Sequence, residues 1–232
     1  SKKMLLKLVE IGSLMAFHWL FFFSSIKVSN VSIALSCLGT STLFAALLEP
    51  LIFKRKIDLS EIVMGIVIVI CISLIFKVEF QYKLGIIYGL ICALLGTIFS
   101  VFNGKLYGKT SSGNIIFYEI FGGFLVISLY YVFSGQISQI GEISYRDLAL
   151  LTLLASVFTA YPMFESVNLM KYISPFTLIL TVNLEPIYGI ILAFFIFGES
   201  EKMSAVFYGA SLVMILAIVV NGIIKEKKKS KE

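Results

Sequence analysis

Eight apolar stretches, at 4–25, 30–53, 60–76, 84–102, 115–134, 147–170, 174–198 and 204–223, fill most of this chain of 232 residues. Each is about 17 to 25 residues long, the length an α-helix rising about 1.5 Å per residue needs to cross a hydrocarbon layer of about 30 Å. The apolar residues come in runs, neither alternating nor confined to one face, which disfavours half-buried strands and amphipathic surface helices. Charged residues are 14% of the chain and hydrophobic residues 59%. That is too little charge to coat a water-soluble globule, where about a quarter of residues are charged. The expected fold class is an all-α integral membrane protein with eight transmembrane helices, and the lipid bilayer is its first implied partner.

The net charge of +5 does not point to nucleic acid, because the basic residues sit between the apolar stretches and in the tail KEKKKSKE. Assigning the connections alternately to two sides places 14 of the 19 Lys and Arg on one side and five on the other. The positive-inside rule then puts both termini in the cytoplasm of a plasma (inner) membrane protein, a parity that eight spans satisfy. Cys37, Cys71 and Cys92 all lie inside apolar stretches. They show no CxxC spacing and have no histidine partners, so they read as small packing residues.

Two blocks of the chain are alike. A gapless shift of 144 pairs Lys27 with Lys171, Ile52 with Ile196, Phe53 with Phe197, Ser60 with Ser204 and Gly65 with Gly209. By the charge count Lys27 and Lys171 lie on opposite sides, so the related helices run in opposite directions, as in the inverted repeats of many transporters. The expected organisation is a first repeat of three helices at 1–80, a second of five at 81–225, and a basic cytoplasmic tail at 226–232. Completing the first repeat requires two further helices, about 60 residues, ahead of Ser1.

Three strings carry a family resemblance: FHWLFFFSSIKVSNVSIAL (17–35), FAALLEPLIFK (44–54) and MKYISPFTLILTVNLEPIYGIILAFFIFGE (170–199). On these the chain resembles the EamA-type branch of the drug/metabolite transporter superfamily, aligned along its whole length to helices three through ten. The resemblance implies a ten-helix, five-plus-five inverted-repeat bundle, present here as an incomplete set of eight, that moves small organic solutes. Thr42 stands where relatives often have a helix-breaking proline, which argues for an unbroken helix over 30–53.

Polar residues inside the apolar stretches are the candidate site. An ionised side chain at mid-bilayer costs about 2.5–3.5 kcal/mol on insertion scales, so a buried carboxylate needs a cavity, a partner or a proton. Glu185 lies eleven residues into the seventh stretch, directly before Pro186. Pro186 has no N–H and would free the carbonyl of Val182. The pair reads as a helix kinked beside a central cavity, or else as a packing kink with Glu185 hydrogen-bonded between helices. Thr177, Thr181 and Glu185 recur every four residues and Tyr188 extends the stripe. Tyr161, Glu165 and Asn168 form a second stripe beside Pro162. His18, the sole histidine, could counter a carboxylate or carry a proton. Equally, it could be a neutral group held by a neighbouring helix. Trp19 could stack on a solute.

The expected substrate-binding set is His18, Trp19, Tyr161, Glu165, Thr181, Asn183 and Glu185. Glu49, five residues from Lys54, reads as interfacial, and Glu119 as lying near the start of its helix. No GxSxG, HExxH, P-loop or Rossmann pattern occurs, so no enzymatic activity and no cofactor are expected. The function indicated is a secondary transporter of an amino-acid-like solute or drug. The alternative is a membrane subunit that depends on partner helices. A small-molecule substrate is the main partner expected, and a coupling proton or cation and a homodimer stay open.

Overall fold

The computed structural model describes residues 2–57, 59–135, 141, 143–182 and 185–229, with the backbone alone at 180, 187 and 225–229. These residues are helical almost throughout and contain no strand. The helices are α1 (Lys2–Val28), α2 (Val31–Leu38), α3 (Ser41–Phe53), α4 (Leu59–Val78), α5 (Lys83–Leu106), α6 (Ser112–Phe133), α7 (Tyr145–Ala155), α8 (Tyr161–Leu169), α9 (Pro175–Val182), α10 (Glu185–Phe197) and α11 (Ala205–Lys229). A π-helical turn, Ser156–Ala160, joins α7 to α8. Among the described residues seven helical runs are long and apolar enough to cross a membrane, so the chain has the make-up of a multi-pass membrane protein.

One apolar stretch differs from expectation. The stretch 30–53 is not one unbroken helix: α2 stops at Leu38 and α3 starts at Ser41. Thr42 thus does not mark continuity. The interruption falls at Gly39-Thr40, where the Thr40 hydroxyl donates to the Cys37 carbonyl at 2.6 Å and competes with the helical ladder. In the stretch 174–198 the described residues are helical over Pro175–Val182 and Glu185–Phe197. Residues 183 and 184, which directly precede the Glu185-Pro186 pair, lie outside the described residues.

The helices form two compact units. One comprises Ser1–Ala16 and Phe102–Ile173, the other Phe17–Val101 and Ser174–Glu232. Lipid tails are as apolar as leucine, so helices in a membrane associate through close packing and polar contacts more than through the hydrophobic effect. In the first unit α1 meets α6 backbone to backbone. A Cβ added at Gly12 would collide with the Glu119 main chain, and one at Gly122 would lie 2.5 Å from the Val9 carbonyl oxygen. The second unit has an apolar interior in which Ile68 and Ile75 of α4 lie with Phe207, Met214 and Ile218 of α11 and with Ile33 and Phe176. Cys37, Cys71 and Cys92 are free and buried in this unit, but against the expectation of no histidine partner Cys92 Sγ lies 3.2 Å from His18 Nδ1.

The close α1–α6 approach generates a prediction. Gly12→Ala should lower the melting temperature of the detergent-solubilised protein by several degrees, since backbone cannot move aside as a flexible side chain can. Gly209→Ala in α11, where nothing lies within 4 Å of the new methyl, should be neutral or slightly stabilising. Thermal unfolding followed by intrinsic fluorescence separates the two.

Candidate functional site

The first four N–H groups of any helix lack intrahelical partners. In a dry interior each orphan costs free energy, so the starts of interior helices must find acceptors. In the second unit three such starts are completed in one way. The residue before each helix accepts the N–H three positions on: Asn30 Oδ1 from Ile33 at 2.9 Å, Ser174 Oγ from Thr177 at 3.2 Å and Ser204 Oγ from Phe207 at 3.1 Å. A glutamate from far along the chain then takes the neighbouring N–H groups. Glu201 accepts from Val31 and Ser32 at 2.9 and 2.8 Å, and from the Ser32 hydroxyl at 2.7 Å. Glu49 accepts from Phe176 at 2.8 Å and Glu79 from Ser204 at 3.0 Å. All three carboxylates are buried.

Glu49 is thus buried inside the protein. Its other oxygen lies 3.5 Å from Arg55 Nε, while Arg55 forks onto buried Glu61 at 2.8 and 3.2 Å. The fork is possible because Lys54, in the left-handed conformation at φ 55°, ends α3 and turns the chain back toward α4. Burial works against the Arg55 charge, but the hydrogen bond and charge of Glu61, with Glu49, outweigh it and raise the guanidinium pKa. The result is a polar chain from the start of α9, through the end of α3, to the start of α4.

The candidate residues distribute over both units. In the second, Thr177, Thr181, Glu185 and Tyr188 are all exposed, so the expected polar stripe is open to its surroundings. The Thr181 hydroxyl donates to the Thr177 carbonyl at 3.0 Å, leaving its lone pairs outward. Asn183 lies outside the described residues. His18 is half-buried and engaged by α5, its Nδ1 lying 2.8 Å from the Cys92 carbonyl oxygen and 3.2 Å from Cys92 Sγ. A carbonyl only accepts, so Nδ1 carries the proton in this geometry. Gly96 makes room for the ring, since a Cβ there would sit 2.8 Å from two imidazole atoms. Trp19 is half-buried.

In the first unit Tyr161 is exposed and Glu165 and Asn168 are half-buried. Glu119 is not near its helix start but eight residues in, fully buried, with Oε2 accepting from Asn103 Nδ2 at 3.3 Å. Glu119 Oε1 and Asn103 Oδ1 have no hydrogen-bond partner.

The buried carboxylate braces are what sequence reasoning missed. The signal present was the Asn30, Ser174 and Ser204 caps; the glutamates that complete them are 125 to 170 residues away. Glu201→Ala should destabilise the protein by about 2–4 kcal/mol, because it strips partners from a buried N–H, a half-buried N–H and a buried hydroxyl. Arg55→Ala should cost about 1–3 kcal/mol by removing the cation shared by two buried carboxylates, reduced from a fully buried pair because water reaches part of the guanidinium. Glu199→Ala, in an exposed pair with Lys202, is the control and should change stability by less than about 0.5 kcal/mol. Chemical denaturation in detergent measures all three.

No protein-family model matches the chain, and no curated protein does. Among solved structures, one described only as the crystal structure of a protein superposes with a TM-score of 0.63, covering 93% of this chain and 74% of the other at 15% identity. At that identity the likeness concerns the fold alone.

Proposed function

We propose that this chain is a secondary transporter for a small organic solute, amino-acid-like or drug-like, in the EamA-type branch of the drug/metabolite transporter superfamily. It works by alternating access in the plasma (inner) membrane. It has eight spans, with both termini cytoplasmic and the halves arranged as an inverted repeat. The observation that carries the reading is a matched pair of helix starts. A shift of 144 takes the start of α2 onto that of α9, the cap Asn30 onto Ser174 and the braced N–H of Ser32 onto that of Phe176. Structural repeats of this kind are common in transporters, which place their solute sites at the repeat interface.

The role of each residue follows from its chemistry. The exposed carboxylate of Glu185 suits an ammonium or another cationic group of the solute. Thr181 offers a hydroxyl from the same sequence stripe, and Trp19 and His18 of the same unit offer an aromatic face and a polar contact. Coupling to a proton or cation would run through Glu185 or His18.

A second reading, a membrane subunit needing companion helices, is favoured by one observation. The apolar window of Tyr145–Leu169 is entirely unburied, unlike those of the other six candidate spans. Blue-native electrophoresis separates the two readings, since a strictly monomeric species that binds solute removes the second.

The test is counterflow in liposomes with labelled amino acids and cationic drugs, preceded by a thermal-shift screen for ligands that raise the melting temperature. Glu185→Gln should lower uptake of a cationic solute at least about tenfold, the effect of losing one charge-assisted contact of about 1.5–3 kcal/mol. Unchanged uptake and unchanged pH dependence in that variant remove Glu185 from the site.

A further inference from the structure

A groove of about 400 Å³ lies along the first unit between the early turns of α1 and the last turns of α5. Its lining changes character along its length. At one end are Lys7, Lys105 and Lys109, all exposed, with Glu10; at the other are Leu14 and Phe102. The charged end carries three cations against one carboxylate, and Glu10 makes no ion pair within 4 Å among the described residues. Leu14 stands seven residues beyond Lys7, about 10 Å further along the helix axis. Phe102 stands one turn before Lys105. The apolar end is therefore set inward from the basic end on both helices. The volume is that of a ligand pocket, which spans about 300–1,000 Å³.

We infer that this groove is a binding site for an anionic phospholipid, with the phosphate held among Lys7, Lys105 and Lys109 and the start of an acyl chain lying on Leu14 and Phe102. Two features of the lining select this ligand. The excess positive charge complements one phosphodiester, and Glu10 leaves room for a hydroxyl or amine of the headgroup. The apolar inner end has no polar group to hold a free anion but matches a hydrocarbon chain. Basic pockets between transmembrane helices recognise lipid headgroups by this chemistry. The inference rests on α1 and α5 crossing a bilayer and is independent of what the chain transports.

The test is native mass spectrometry of the delipidated full chain in detergent, titrated with phosphatidylglycerol or with phosphatidylcholine of the same acyl chains. The wild type should retain phosphatidylglycerol at least about fivefold more tightly, and the combined Lys7→Ala, Lys105→Ala and Lys109→Ala variant should lose that preference. Leu14→Trp, which fills the inner end without changing charge, should weaken binding of both lipids. The combined Lys27→Ala, Lys56→Ala and Lys77→Ala variant removes equal charge elsewhere and should keep the preference.

Equal retention of the two lipids by the wild type overturns the inference. So does an equal loss in the Lys27, Lys56 and Lys77 variant, which would mean diffuse surface charge. A third arm uses inorganic phosphate alone: if it binds through the same three lysines and phosphatidylglycerol does not compete, the site is for a free anion and the lipid assignment fails.

Discussion

A helix that begins away from water starts with N–H groups it cannot satisfy, and the architecture of the second unit is organised around that deficit. Glu201, Glu49 and Glu79 each leave their own segment to complete the start of another: α2, α9 and α11 respectively. Two of these braces are reciprocal. The end of α3 holds the start of α9, and the turn after α10 holds the start of α2. Each acceptor is a charge placed at the positive end of a helix dipole, so hydrogen bonding and electrostatics act together. For Glu49 the remaining charge is matched by Arg55, which also neutralises Glu61. The carboxylates can thus be buried where an unpaired charge would be prohibitive.

The spans were legible because their length is dictated by bilayer thickness. The break at Gly39-Thr40 was not. The run Gly39-Thr40-Ser41-Thr42 is short and uncharged, and hydropathy averaged over a whole span does not register it. Thr177 and Thr181 were legible as neighbours from their four-residue spacing within α9, because helix geometry places such residues on one face. His18 was legible as a polar group in an apolar run, but its attachment to the Cys92 carbonyl depends on a neighbour 74 residues away. The braces were invisible for the same reason, since a local cap motif names one acceptor and leaves the distant one open.

Glu185 is exposed, and so are Thr177, Thr181 and Tyr188. The interior of the second unit supplies the rigid background. Ile68, Ile75, Phe207, Met214 and Ile218 of the long helices α4 and α11 are buried together there. A proposed alternating-access device would combine such well-packed long helices with accessible polar groups.

The sequence distance spanned by the Glu201 brace also sets an order of events during biosynthesis. Val31 is made 170 residues before its acceptor. At about 5–20 residues per second, the opening turn of α2 waits about 10–30 s in the nascent chain with its donors unmet. Assembly of this region is therefore completed from the carboxyl-terminal side. A ribosome stalled short of residue 201 would leave behind a membrane intermediate with an unfinished helix start exposed to the insertion machinery and to proteases.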